Sequence, residues 1–318
     1  MELFTLIHVS RNEQSIHNNF VTSLKSQILL YLSCARQLAE GLKNQGVNLH
    51  VITNEEEYLR NLMPDYPYPI IQLQFKSVVP SGVKFFSAHF KLEVITYLAT
   101  LDNNYVGLID SDVVCVNEIP YSLRTAIDKK IPLYYDITNQ VGPAYGLKNI
   151  IENKEKLLLE RSLGLWAGGE FIAGPPAFFK KLDTEISSIR EAYFENIQGF
   201  HHQGDEMITS IAIEKLKRTE SILDAGSLMI IGRFWSVKPK HYQNSIDAYH
   251  NHFLLHLPSD KRFLVNNRPT TNSAFFRHYK RYLIRKKVFR SVFSGMFPLL
   301  KYALTKVTAV SEKKLALK

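Results

Sequence analysis

The chain has 318 residues, 45% of them apolar, and a formal net charge of +9. That length and composition fit a globular protein burying one sizeable α/β core or two small ones. The two cysteines, Cys34 and Cys115, lie far apart in apolar surroundings, which excludes a disulfide framework or a zinc spacing and fits a reducing compartment.

Met1 to Val9 opens with an acid and a short β-like run, so no signal peptide is read. Leu3 to Val9 reads as a first strand, Leu24 to Asn44 as an amphipathic helix closed by Gly46, and Val47 to Ile52 as a second strand. Together they make a βαβ unit. A third strand follows at Ile70 to Phe75, and a helix at Phe86 to Leu101 feeds a strand at Tyr105 to Ile109. Further strands are expected at Leu133 to Tyr135, Glu170 to Ala173 and Leu228 to Ile231, with a helix at Asp205 to Leu216. No internal repeat or low-complexity linker breaks the pattern. No apolar run reaches the roughly twenty residues that cross a bilayer.

One boundary stands out near Asn266 to Pro269, a polar, turn-rich step. The expected organisation is therefore a nucleotide-binding-type α/β domain over residues 1–265 and a basic tail over 266–318. From Ala274 onward there are 12 Lys or Arg and one acid, so residues 1–273 carry a net charge of about −2. A near-neutral body argues against a nucleic-acid-binding surface. The tail places Ile284, Val288, Val292, Met296, Leu300 and Leu304 four residues apart, beside Phe289, Phe293 and Phe297, with Arg285, Lys286, Lys287 and Arg290 on the flank. Such an aromatic, cationic, amphipathic segment suits an anionic membrane interface, although a packed helix with a solvated charged face would show a similar pattern.

The chemistry concentrates in Val106 to Val116, where an apolar strand runs into Asp110, Ser111 and Asp112. Strand side chains alternate sides, so residues i and i+2 can present two carboxylates to one hard cation such as Mg²⁺ or Mn²⁺. Such an ion neutralises charge on a leaving diphosphate. The carboxyl end of a strand is also where open α/β sheets bind ligands.

Read in order, five segments resemble the glycosyltransferases of family 8, retaining enzymes with the GT-A fold. Phe86 to Glu93 is similar to that family's Ser-x-x-x-Tyr-x-Arg-Leu helix, and Val106 to Val116 to its strand with Asp-x-Asp. Trp166 to Ala173 resembles the Phe-Asn-x-Gly-Val strand, Gly204 to Thr209 the Asp-Gln helix start, and His256 to Lys261 the His-x-x-Gly-x-x-Lys near the end of the fold. The likeness spans residues 3–265. It departs at His8 to Asn12, where the family's first strand commonly ends in an Asp that meets the nucleotide, and at Lys91, which replaces an Arg. No Asn precedes Gly168 and Gly169. Glu206 stands in place of Gln, which is similar to the His-Asp-Glu of the histo-blood-group galactosyltransferases.

The resemblance implies a GT-A fold, a mostly parallel Rossmann-like sheet flanked by helices. It also implies roles. Asp110, Asp112 and His256 would hold Mn²⁺ or Mg²⁺; a packed strand histidine is the alternative for His256, and His250 and His252 are alternative ligands. An imidazole among oxygen donors suits Mn²⁺ better than Ca²⁺. Lys261 would meet the diphosphate, Lys91 a donor phosphate, and Gly168 and Gly169 would let backbone approach the sugar. Trp166 is a core residue or a stacking platform. Asp205 would contact donor-sugar hydroxyls and Glu206 would lie near the anomeric carbon, unless both simply favour the start of a helix. Retention then proceeds through a carboxylate nucleophile or through front-face attack.

The expected function is transfer of a hexose from UDP-galactose or UDP-glucose to a lipopolysaccharide, capsule or other lipid-linked glycan, at the inner face of a bacterial cell membrane. The partners are a nucleotide-sugar donor, a glycan acceptor and an anionic membrane surface, with no nucleic acid. A sugar-nucleotide nucleotidyltransferase would want a glycine-rich loop after the first strand, which His8 to Glu13 lacks. A non-catalytic membrane-binding adaptor is the remaining alternative.

Overall fold

The computed structural model describes residues 1–11, 23–237, 241–266 and 272–289. It divides into Met1–Arg268 and Pro269–Lys318. In the first unit a seven-stranded sheet forms the centre. Strands β1 (Glu2–Leu6), β2 (Asn48–Thr53), β3 (Ile70–Gln72) and β4 (Val106–Ile109) pair in parallel in the order β3-β2-β1-β4. Beyond β4 come β7 (Ala167–Gly174), β6 (Leu133–Asp136) and β8 (Leu223–Asp224). Strand β7 is antiparallel to both neighbours and β6 is parallel to β8. Only β7 therefore runs against the rest. The mostly parallel sheet that the resemblance implies is present.

Every residue of β4 and β7 is buried, the mark of central strands covered on both faces. Gly107 lets them close up: a Cβ there would lie 2.8 Å from Leu3 Cδ2 and 3.0 Å from Ala173 Cβ. Helix α1 (Leu24–Lys43) starts at Ser23, whose Oγ accepts from Ser26 N at 3.2 Å. It lays Ile28, Leu32, Ala35, Leu38, Ala39 and Leu42 into the core at helical spacing.

Two expectations shift. Phe86 to Leu101 is not one helix but a 3-10 helix, Phe86–Phe90, followed by α3 (Lys91–Leu98), and Phe85 ahead of it sits at φ 58°. The late strand is Ile231–Arg233 (β9), because Met229, at φ 55°, turns the chain where Leu228 to Ile231 was expected to be extended. Strand β9 joins a second, three-stranded sheet with β5 (Val113–Cys115) and β10 (Leu254–His256).

Helices not expected from the pattern include α2 (Glu56–Leu62), α4 (Tyr121–Asp128), α5 (Thr138–Tyr145), α6 (Leu147–Leu158) and α7 (Pro176–Asn196). Of these, α7 is 21 residues long and buries Phe178, Phe179, Leu182, Ile186, Ile189 and Tyr193 at steps of three and four. Helix α8 (Asp205–Lys217) is fixed to α6 by a buried ion pair, Lys154 with Glu214, and the pair also holds the loop after α6: Lys154 Nζ donates to Leu165 O at 2.6 Å, and Glu214 Oε1 accepts from Leu163 N at 2.6 Å. The short α9 (Lys261–Asn266) closes this unit.

In the second unit residues 272–289 are helical. Phe275, Phe276 and Tyr279 are buried there, whereas Ile284, Val288 and Phe289 are more than half exposed. The expected tail positions from Arg290 to Leu304 lie outside the described residues, as does Asn12. Among the described residues no helix is long and apolar enough to cross a membrane.

Candidate active site

Asp110 and Asp112 converge, but through a turn rather than through strand alternation. Strand β4 ends at Ile109, residues 111 and 112 make the turn, and β5 then starts a different sheet. The turn is anchored at both ends: Asp110 N donates to Glu170 O at 3.1 Å and Leu257 N donates to Asp112 O at 3.0 Å. Pairing of β10 against β5 sets His256 opposite Val113, next to Asp112. The result is a group of three ligand atoms, from Asp110, Asp112 and His256, lying within 4.8 Å of one another.

His256 is placed by both ring nitrogens. Nε2 lies 3.0 Å from Asp112 Oδ1 and 4.0 Å from Asp110 Oδ2, while Nδ1 lies 3.3 Å from Glu170 Oε1. The hydrogen-bond network thus assigns the Nδ1 proton to Glu170 and turns Nε2 toward the aspartates, the usual way a carboxylate orients a metal-binding imidazole. Of the three histidines considered from sequence, this is the one that joins both aspartates. Burial works against the imidazolium, but Asp112 and Glu170 outweigh it and raise His256 to about 9.

Each aspartate also holds an ammonium. Lys91 Nζ lies 2.6 Å from Asp110 Oδ1 and donates to Gly169 O at 2.8 Å. Lys261 Nζ lies 2.5 Å from Asp112 Oδ2 and donates to Pro258 O at 2.9 Å. Burial pushes the Asp112 carboxyl up, yet Lys261 and His256 prevail and hold it well below the usual range. For Asp110, burial and the neighbouring Asp112 win over Lys91, and its carboxyl is raised. Both lysines are mostly covered too, and although burial lowers them, their carboxylate partners drive them upward.

Asp110, Ser111, Asp112, Lys91 and Lys261 line one cavity of about 240 Å³ at the carboxyl ends of β1 and β4. Across it stand His8 from the end of β1 and Gln27 and Tyr31 from α1. His8 stacks on Phe90 at 4.0 Å between ring centroids, and burial lowers it to about 4, so it is neutral near pH 7.

Beside this cavity, α8 presents Asp205 and Glu206 from its first turn. Burial raises Asp205 to about 7, against the pull of Lys91, whose Nζ is 3.7 Å from Asp205 Oδ2. Glu206 is held on both oxygens: Oε2 accepts from Trp166 Nε1 at 2.9 Å and Oε1 from Gly169 N at 3.3 Å. Trp166 is fully buried, which makes it a core residue that positions Glu206 and not a stacking platform. The two glycines serve space. A Cβ on Gly169 would stand 2.9 Å from Asp205 Oδ2, and one on Gly168 only 2.3 Å from Glu170 Oε2.

Two participants were not read from sequence. Glu170, 1% exposed, joins His256 to Arg233, whose Nε lies 3.4 Å away and whose Nη1 is 3.6 Å from Glu206 Oε1. Burial acts against the Glu170 carboxylate, but Arg233 and His256 hold it down at about 2. A chain of charges therefore runs from Asp112 through His256, Glu170 and Arg233 to Glu206. The available signal was a lone Glu within Ala167–Gly174, an otherwise uncharged and wholly buried strand.

The donor set of two carboxylates and one imidazole fits a Mn²⁺-like cation in chemistry and in convergence. No family model matches the sequence, and no curated protein matches it either. Among solved structures, the galactosyltransferase LgtC in complex with donor and acceptor sugar analogs is similar, with a TM-score of 0.50 and 9% identity over 85% of this chain and 98% of LgtC. An active-site mutant of LgtC gives 0.50 at 10% identity, with the same coverage. The chain has the GT-A glycosyltransferase fold. Mouse xyloside xylosyltransferase 1 in its apo form stands at a TM-score of 0.49 and 11% identity, over 82% of this chain and 99% of that one. At these identities the GT-A likeness is one of fold, so the chemistry has to be argued from the side chains.

Proposed function

We propose that this GT-A chain is a metal-dependent, retaining glycosyltransferase that moves a hexose from UDP-galactose or UDP-glucose to a lipopolysaccharide, capsule or other lipid-linked glycan. The observation that carries the reading is the meeting of Asp110, Asp112 and His256 at a cavity shared with Lys91 and Lys261, with Asp205 and Glu206 alongside. Asp110, Asp112 and His256 would hold Mn²⁺ or Mg²⁺, which when bound would screen the diphosphate and stabilise its negative charge as the sugar leaves.

The chain's own residues account for the rest. Lys261 rests on Asp112 within the cavity, ready to exchange that carboxylate for a diphosphate oxygen. Lys91 ties Asp110 to the Gly169 carbonyl and faces Asp205, so it fixes the distance between the diphosphate end of the site and the sugar end. Asp205, raised to about 7, can accept from or donate to a sugar hydroxyl. Glu206, pinned by Trp166 and Gly169, keeps its charge in place beside the developing positive centre without swinging to form a bond. This favours front-face attack, in which the leaving phosphate accepts the acceptor's proton, over a covalent glycosyl-enzyme.

The tail supports a membrane-surface role for the same enzyme, at the inner face of a bacterial cell membrane. Exposed Ile284, Val288 and Phe289 flank the basic run Arg285, Lys286 and Lys287 along the described helix.

The stereochemistry tests the reading. UDP-hexose donors carry an α-linked sugar, and ¹H NMR of the first-formed glycosyl product is expected to show an α anomeric coupling. A β product would contradict retention and the assignment of Asp205 and Glu206 with it.

A further inference from the structure

Away from the active site, α3 and α7 border a second cavity, of about 730 Å³, within the size range of sites for small ligands. Its lining includes Arg190 from α7. Among the described residues, the Arg190 guanidinium has two donor atoms, Nε and Nη2, that are buried and have no hydrogen-bond partner. Leaving buried donors unmade is costly, and more so on a charged group. The two orphaned atoms are also a matched pair. Nε–H and the adjacent Nη2–H point to the same side of the planar guanidinium and form the fork that takes two oxygens of a carboxylate or phosphate at once.

Neither acid of the lining, Glu93 or the exposed Glu191, accepts from Nε or Nη2. Glu93, on α3, has both oxygens occupied by the loop after β3: Oε2 accepts from Lys76 N at 2.8 Å and Oε1 from Ser77 N at 2.9 Å. The lining also includes Lys76, the rings of Tyr97 and Phe194, and the hydroxyls of Ser187 and Thr96, the latter donated to Asp183 Oδ1 at 2.6 Å. Aromatic faces among hydroxyls suit a sugar ring, which presents C–H groups on one face and hydroxyls around its edge.

We propose that this cavity is a second binding site, for a saccharide bearing a carboxylate or phosphate group, with the Arg190 side chain turning its fork, closed to solvent in this structure, onto the oxyanion. The choice of a saccharide rests on the proposed glycosyltransferase reading, whereas oxyanion capture by Arg190 does not. In that setting the site would hold an anionic sugar unit of the acceptor away from the reaction centre. Helix α3 connects the two places, since Lys91 at its start meets Asp110 while Glu93, Thr96 and Tyr97 line the cavity.

Calorimetric titration of the full-length protein, with no donor present, tests the proposal separately from turnover. The probes are D-glucuronate, D-glucose 6-phosphate, D-glucose and inorganic phosphate. At least one acidic sugar is expected to bind saturably, at least tenfold more tightly than glucose or phosphate. Arg190→Gln should weaken that binding tenfold or more while leaving UDP binding in the presence of Mn²⁺ unchanged. Because Arg190 is partly buried, Ser187→Trp is a second test: it fills the cavity from an exposed position and should block the same probe. Failure of both acidic sugars to bind, equal binding of glucose, or binding undiminished in both variants would overturn the proposal. Phosphate binding as tightly as the sugars would show an adventitious anion site and overturn it too. Failure of donor turnover alone would leave these titrations unaffected.

Discussion

Glu170 shapes the candidate site without lining its cavity. Its carboxylate sits between His256 and Arg233 in a fully buried strand, so one side chain orients the imidazole and neutralises the guanidinium. Replacing Glu170 with Gln should keep the shape and remove the charge. Arg233 would then be buried beside a neutral amide, at a cost of about 3 kcal/mol, and loss of a carboxylate behind a metal-binding histidine weakens affinity roughly 10–100-fold. The expected outcome for Glu170→Gln is a lowered melting temperature together with weaker Mn²⁺ binding, read by the free-ion electron paramagnetic resonance signal. Unchanged Mn²⁺ affinity would remove Glu170 from the site. At this scale the sequence was informative where side chains lie near one another in the chain. Asp110 and Asp112 were legible as a pair and Asp205 with Glu206 as a helix start. Glu170 and Arg233 were not, because their partners come from strands of two different sheets and no local spacing encodes that meeting.

Elements were legible in proportion to the regularity of their burial. The βαβ start, β4 and α8 lie close to their expected positions, since each has an unbroken apolar face. Helix α7 shows the same periodicity but begins at Pro176, directly after a buried strand, and was not separated from it by pattern alone. The break before α3 comes from packing: His89 Nδ1 lies 3.2 Å from Phe85 O and its Nε2 3.1 Å from Tyr193 Oη, tying the 3-10 segment to α7. Burial lowers His89 to about 4, below its ordinary 6.5. The unfolded chain therefore binds this proton first, and the folded state loses stability as pH falls from about 6.5 towards 4. Between pH 7 and 5 the effect is about 2 kcal/mol. Urea unfolding at the two pH values should show it, and His89→Gln should flatten the dependence by a comparable amount; an unchanged slope would contradict the assignment.

The tail helix divides in the same way, with Phe275, Phe276 and Tyr279 buried and the exposed apolar residues starting at Ile284. Residues 284–318 carry nine basic groups and one acid. Each basic residue near an anionic surface contributes about 1 kcal/mol, so deletion of 284–318 should release the protein from anionic vesicles while its melting temperature holds. High salt should release the intact chain only in part, since screening leaves the apolar contacts in place. Equal sedimentation of the intact and shortened chains would exclude a membrane role for the tail.

In the GT-A unit as a whole, the turn at Asp110 to Asp112 is where the seven-stranded sheet hands the chain to the three-stranded one. The topology puts a cavity there, because the carboxyl ends of β1 and β4 open on one side and β10 brings His256 back from 144 residues later. The fold class was legible because strand and helix alternate in chain order. What the alternation could not carry was the reversed β7 and the second sheet, which depend on pairings between segments far apart in sequence.

Nucleotide release from sugar donors is the sharpest test of metal-dependent glycosyl transfer by this protein. The full-length protein would be incubated with UDP-galactose, UDP-glucose, UDP-N-acetylglucosamine and GDP-mannose, with Mn²⁺ or with excess chelator, beside an Asp112→Asn variant. Release of UDP from a UDP-hexose is expected in Mn²⁺, reduced at least a hundredfold by chelator and by Asp112→Asn. Full turnover in excess chelator, or no release from any donor with Mn²⁺ present, would contradict it.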